Sequence, residues 1–120
     1  MTTAETGRKG EQAAADYLRR EGYDLESLNW RNGRYELDIV ARKWDTLHFV
    51  EVKTRRADGL TPPEDAMTRR KQQAMLCAAK AYLAYTQWEG EVAFDLIAVD
   101  VWDESRVDLR LIPDAVEYNW

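Results

Sequence analysis

Residues 35–56 read YELDIVARKWDTLHFVEVKTRR. Two runs of apolar residues with alternating partners flank a short polar break, which predicts a strand over Tyr35–Arg42, a turn over Lys43–Asp45 and a strand over Thr46–Thr54. Strand side chains alternate between faces. Glu36, Asp38 and Val40 are therefore expected on one face of the first strand, with Tyr35, Leu37 and Ile39 on the other. Leu47, Phe49, Glu51 and Lys53 should share a face of the second. With so short a turn the strands should be antiparallel neighbours, which places Asp38 near Glu51 with Lys53 beside them.

Apolar residues on both faces of both strands imply a sheet covered on both sides. Working outward, the periodicity predicts a helix over Ala4–Glu21, stopped by Gly22, with Gly7, Gly10, Ala14, Tyr17 and Leu18 facing inward and Glu11 inside that stripe. A strand is expected over Tyr23–Trp30, and Asn32-Gly33 marks a hairpin turn over Arg31–Arg34. Beyond residue 56, Ala57–Pro63 reads as a loop and Glu64–Met67 as a short helical turn. Thr68 is a good N-cap for a helix running to Thr86, with Met75, Leu76, Ala79, Tyr82 and Leu83 as its apolar face. Strands follow over Glu91–Trp102 and Arg106–Ile112. Pro113–Trp120 reads as a short helix or an irregular tail. The expected architecture is an α/β fold, a mixed β-sheet flanked by helices in the order α-β-β-β-α-β-β, in a single domain spanning residues 1–120.

The paired acids carry the chemistry. Carboxylates in a doubly covered sheet are costly unless paired, hydrogen-bonded or bound to metal. Two alone repel, and one takes up a proton. A divalent cation answers both difficulties, and magnesium (or manganese), which keeps several waters, needs only two carboxylates and a backbone carbonyl such as that of Val52. Lys53 would then orient an attacking water and offset charge growing on a phosphate.

Charge and composition bound the partners. The net charge is −5, but it is unevenly spread: residues 1–88 carry 15 Lys/Arg against 13 Asp/Glu, a net of +2, and residues 89–120 carry 2 against 9, a net of −7. Locally basic stretches, Arg55 and Arg56 after the acid-bearing strand and Arg69, Arg70 and Lys71 after Thr68, are candidate contacts to a nucleic-acid backbone. Trp44, at a hairpin tip, is a candidate for stacking on a base. His48 alternates onto the face opposite Glu51 and is not recruited as a base. Cys77, the single cysteine, is expected in the core, and one cysteine permits no internal disulfide, which suits a reducing cytoplasm. The polar N-terminal residues carry no secretory signal, and no stretch is apolar enough to span a membrane.

The run GRKGEQAAADYLRREGYDLESLNWRNGRYELDIVARKWDTLHFVEVKTRR resembles the YraN-like family, and the resemblance continues through TPPEDAMTRRKQQAMLCAAKAYL into AFDLIAV. The resemblance implies a PD-(D/E)XK, restriction-endonuclease-like fold, similar to archaeal Holliday-junction resolvases. Carried over by position, Asp38 is the motif's first acid, Glu51 its second and Lys53 its lysine, and Glu11 matches the helix glutamate that completes the resolvase site. Leu37 stands where the motif's nominal proline would be, and Tyr35-Glu36 where many members have Gly-Glu. The resemblance implies a magnesium- or manganese-dependent DNA endonuclease, acting on branched or single-stranded DNA, and by analogy a homodimer. The alternative is a nucleic-acid- or partner-binding module that keeps the nuclease fold without turnover.

Overall fold

A computed structural model describes residues 1–57 and 68–118 of the chain. The elements are α1 (Thr3–Arg20), β1 (Asp24–Asn32), β2 (Tyr35–Lys43), β3 (Thr46–Arg56), α2 (Arg69–Thr86), β4 (Glu91–Val101) and β5 (Val107–Ile112). This is the expected α/β order. The expected Glu64–Met67 turn, and the Ala57–Pro63 loop beyond Ala57, lie outside the described residues. Residues 113–118 form an irregular tail, not a helix.

The sheet runs β1-β2-β3-β4-β5 in space. Only β3 and β4 are parallel; the other neighbours are antiparallel. Parallel strands cannot be joined by a tight turn, so the chain between β3 and β4 crosses over and carries α2. Two core layers result. Under α2 lie Leu37, Val40, Leu47, Phe49, Met75, Ala78, Ala79, Tyr82 and Phe94. Under α1 lie Ala14, Ala15, Leu18, Ile39, Ala41, Val50, Ile97 and Val99. The sheet is thus covered on both faces, as its apolar alternation requires.

Local chemistry sets the boundaries. Thr2 caps α1 in a capping box with Glu5, whose amide donates to the Thr2 hydroxyl at 3.1 Å. Gly22, at φ 89°, turns the chain out of the helix. Gly10 allows close approach: a Cβ there would overlap the Thr54 side chain of β3. Thr6, absent from the expected inward stripe, is buried, and its hydroxyl is satisfied there by donating to the Thr2 carbonyl at 2.9 Å. Thr68 caps α2, accepting from the Lys71 amide.

Three expectations need correction. The β1–β2 turn has Gly33-Arg34 at its centre, one residue later than the expected Arg31–Arg34 turn, because Asn32 pairs with Tyr35; with φ positive at Gly33 and not at Arg34, this is the pattern of a type II′ hairpin. Cys77 is exposed, since the buried side of α2 is set by Met75, Ala78, Ala79 and Tyr82. Face alternation also does not run unbroken through β2: Leu37 and Val40, expected on opposite faces, both lie in the layer under α2. The break coincides with Asn29 of β1, which has a left-handed backbone (φ 52°) and falls opposite Asp38 between the pairs Leu28–Ile39 and Trp30–Leu37.

Candidate active site at the β2–β3 fork

The β2–β3 ladder ends at the pair Ile39–Val50. Both strands continue past it, so the backbone of β3 beyond Val50 faces a gap where β2 has drawn away. Asp38 fills that gap. Its Oδ2 accepts the Val52 amide at 2.9 Å, standing in for a missing main-chain partner. In an extended strand a residue turns its N–H and C=O to the same side. The Val52 carbonyl therefore also faces Asp38.

Glu51, on β3 beside Val52, lies close enough to Asp38 for each carboxyl to perturb the protonation of the other. Both groups are half-buried. Burial pushes the Glu51 carboxyl up to about 7, and the adjacent Asp38 charge adds to the shift. Burial raises Asp38 too; the Val52 amide works against that shift, and the nearby charges of Glu11 and Glu36 reinforce it. Without a cation, the two acids hold a proton between them near neutral pH.

The surroundings are cationic on one side. Lys71, in the first turn of α2, and Lys53, two residues along β3, both favour the ionised form of Glu51, Lys71 more strongly. The fork thus brings Glu11, Asp38, Glu51, Val52 and Lys53 into one electrostatic neighbourhood. Lys71 joins as a neighbour of Glu51, a position that sequence spacing gives no means of finding, because the crossover through α2 creates it.

The other candidates fall elsewhere. Glu36 is exposed and lies 3.9 Å from Arg31. Arg55 binds Asp100, its cross-strand partner on β4, at 2.5 Å, so part of its charge is already answered. Arg56 is exposed at the end of β3, and Arg69 and Arg70 are exposed at the start of α2. Trp44 is 86% exposed, but it lies six positions beyond Asp38, about 20 Å further along, so it does not belong to the fork. His48 does turn to the face away from Glu51. Its Nδ1 lies 2.7 Å from Oδ2 of the buried Asp95, whose Oδ1 accepts the Asp114 amide at 3.0 Å. That pair anchors the tail after β5; a lone acid in the apolar run VAFDLIAV was its only trace in the sequence.

The fit to a divalent cation rests on the donor set. Two carboxyl oxygens and a backbone carbonyl facing one gap suit a hard cation that retains waters. Among the described residues no group of three or more His, Cys, Asp or Glu is arranged to hold a metal ion. Glu11 lies near enough to Asp38 for its charge to raise that carboxyl. Among the described residues no helix is long and apolar enough to cross a membrane.

Comparison with known proteins places these residues in a wider group. Residues 10–99 match the profile of Uncharacterised protein family UPF0102. A UPF0102 protein of Chlorobium chlorochromatii is 43% identical over 121 residues, covering 99% of this chain and 94% of that one. One from Nitratidesulfovibrio vulgaris is 47% identical over 95 residues, 78% of this chain and 71% of its own. One from Porphyromonas gingivalis is 44% identical over 93 residues, 78% of this chain and 69% of its own.

Proposed function

The chain belongs to Uncharacterised protein family UPF0102, and from the acid pair at its β2–β3 fork we propose that it is a divalent-metal-dependent nuclease that hydrolyses phosphodiester bonds in DNA. One observation carries this reading: two half-buried carboxyl groups, Asp38 and Glu51, lie close enough to perturb each other's protonation, with Lys53 and Lys71 near enough to act on Glu51. A fold built for stability alone gains little from burying two like charges together. Perturbed acids clustered with cations on a splayed sheet edge are instead characteristic of functional sites.

Asp38, Glu51 and the Val52 carbonyl would hold Mg²⁺ or Mn²⁺, which when bound supplies Lewis acidity toward a phosphoryl oxygen and a more acidic water. Asp38 is oriented by the Val52 amide, so its free oxygen faces the fork. In metal-free protein Glu51 is pushed up to about 7 and holds a proton near neutrality, so binding the cation would release that proton. Lys53 and Lys71 supply positive charge where a phosphate would lie. Glu11, at the α1 side, adds negative charge beside Asp38 that favours a cation there. Arg69 and Arg70 extend the cationic side for backbone contacts. Assembly as a homodimer would let two such sites address two strands.

The test is a cleavage screen across junction, flap, duplex and single-stranded DNA with Mg²⁺ or Mn²⁺, run beside the Asp38→Asn variant. Metal-dependent cleavage by the wild type that the variant lacks supports the reading. Equal trace cleavage by both overturns it and leaves a non-catalytic binding module, to which the acidic segment after residue 88 would be better suited.

A further inference from the structure

A cleft of about 280 Å³ opens beside the fork, between the start of β2 and the outer side of α2, lined by Arg34, Tyr35, Glu36, Gln73, Ala74 and Cys77. We propose that this cleft receives an unpaired nucleobase of the strand whose phosphate lies at Asp38 and Glu51, so that the protein selects single-stranded or branched nucleic acid over continuous duplex. The inference rests on the nuclease reading of the fork for its placement of the phosphate.

Position comes first. Glu36 lies two residues before Asp38 on the same strand, about 7 Å away along it. Gln73 lies two residues after Lys71 on α2. The cleft and the acid pair are therefore adjacent, spanned by the same two elements. A base projecting from a backbone held at the fork has the cleft within reach of its own nucleotide.

Chemistry agrees with the position. Tyr35 offers a ring, and the Arg34 guanidinium lies 5.8 Å from that ring's centroid. Aromatic and guanidinium planes are the surfaces on which unpaired bases stack without regard to sequence. Tyr35 is held from behind by packing against the core under α2, which fixes the ring's place. Ala74 and Cys77 give the opposite wall a small, apolar surface. The rim presents both kinds of hydrogen-bonding group: Gln73 donates and accepts, Glu36 accepts and Arg34 donates. A base edge needs that mixture, whereas a purely apolar ligand would leave it unpaired. Charge complementarity points the same way. Arg34 stands at one end of the cleft and Arg69, Arg70 and Lys71 precede it on α2, all within residues 1–88, whose net charge is +2. A base inside a duplex is already stacked and paired, and its edges do not reach a cleft lying beside the backbone.

The experiment measures binding separately from cleavage. The full-length Asp38→Asn protein, in chelator, is titrated against labelled oligothymidylate, oligouridylate and a duplex of equal length. Tighter binding of the single strands than of the duplex is expected, with the DNA and RNA arms deciding which sugar is preferred. Ala74→Leu, at an exposed helix position, fills the cleft without adding a ring and should weaken single-strand binding about tenfold, within the range of one base stack, while leaving duplex binding unchanged. Tyr35→Ala should do the same, with thermal unfolding monitored because Tyr35 also packs on the core. Maleimide labelling of the exposed Cys77 should be slowed by the single strand and not by the duplex. Equal affinity for single strand and duplex, or Ala74→Leu binding like its parent with no protection of Cys77, overturns the proposal. Cleft-dependent binding together with no metal-dependent cleavage in any condition would instead uphold the base cleft and remove the nuclease reading.

Discussion

The carboxylate of Asp38 accepts the backbone amide of Val52 at 2.9 Å, just past the last β2–β3 pair, so an acid side chain does the work of a strand at the point where the two strands part. The bond ties the acid to the fold and explains why the fork holds its shape with a gap in the ladder. It also separates the structural role of Asp38 from its charge.

That separation gives the first prediction. Asp38→Asn keeps an oxygen to accept the Val52 amide and should unfold within ~1 kcal/mol of the wild type, a neutral polar swap at a satisfied site. Metal-dependent cleavage should be lost, because magnesium depends on carboxylate charge at so sparse a site. Asp38→Ala removes the acceptor as well and should cost ~1–3 kcal/mol, the penalty for a buried amide left without its bond. Urea denaturation of the three proteins reads the difference; equal stabilities for the Ala and Asn variants would show that the Val52 bond contributes nothing.

The second concerns pH. In metal-free protein Glu51 is raised from its ordinary 4.5 to about 7. Between those values the folded protein holds a proton that the unfolded chain releases. Stability from this group is therefore full below about 4.5 and is lost as pH rises through 7, by up to roughly 3 kcal/mol. Urea denaturation in chelator should show the wild type weakening from pH 5 to pH 8 more than Glu51→Gln, which cannot ionise. Mg²⁺ should restore stability to the wild type at pH 8 and not to the Gln variant. Parallel pH curves for the two proteins would remove Glu51 as the source.

A third addresses the α1–β3 approach. Ala is a better helix former than Gly by roughly 1 kcal/mol, yet a Cβ at Gly10 meets Thr54 Cβ at 2.8 Å, which no rotation of the Thr54 side chain relieves. Gly10→Ala should therefore destabilise by ~1–3 kcal/mol, as overpacking does. Adding Thr54→Ala removes two of the three overlapping atoms and should recover part of that loss. A double-mutant cycle tests the coupling; additive effects would show that α1 shifts away freely.

The fourth separates two groups of arginines. Arg69 and Arg70 are exposed at the start of α2, whereas Arg55 is bound to Asp100. Arg69→Ala with Arg70→Ala should weaken DNA binding and lower the slope of log affinity against log salt by roughly 0.7–0.9 for each phosphate that the protein no longer neutralises. Arg55→Ala should change the slope less, because its charge is already partly answered by Asp100. Binding titrations at several salt concentrations measure both; a larger effect at Arg55 would place the DNA along β3 rather than at α2.

Much of this was legible in the residues. The 3.6-residue periodicity and caps marked both helices, with Thr68 opening α2 at the expected position, and alternation marked five strands to within a few residues. These signals are local, because a cap or a hydrophobic stripe depends on residues a turn or two apart. The nearness of Asp38 and Glu51 was also legible, since a short turn between antiparallel strands nearly dictates register. What alternation alone misplaced was Leu37, because the alternation of β2 breaks where the left-handed Asn29 of the neighbouring strand falls opposite Asp38, a feature of strand pairing that no pattern within β2 carries. The turn at Gly33 was placed one residue early for a similar reason: the register of the whole β1–β2 pair, not the Asn-Gly dipeptide, selects the two central residues. Lys71 beside Glu51, Arg55 on Asp100, His48 on Asp95 and Cys77 at the edge of a cleft depend on which strands the crossover through α2 brings together. Such contacts join residues tens of positions apart, and their partners are chosen by the packing of the layers rather than by any pattern along the chain.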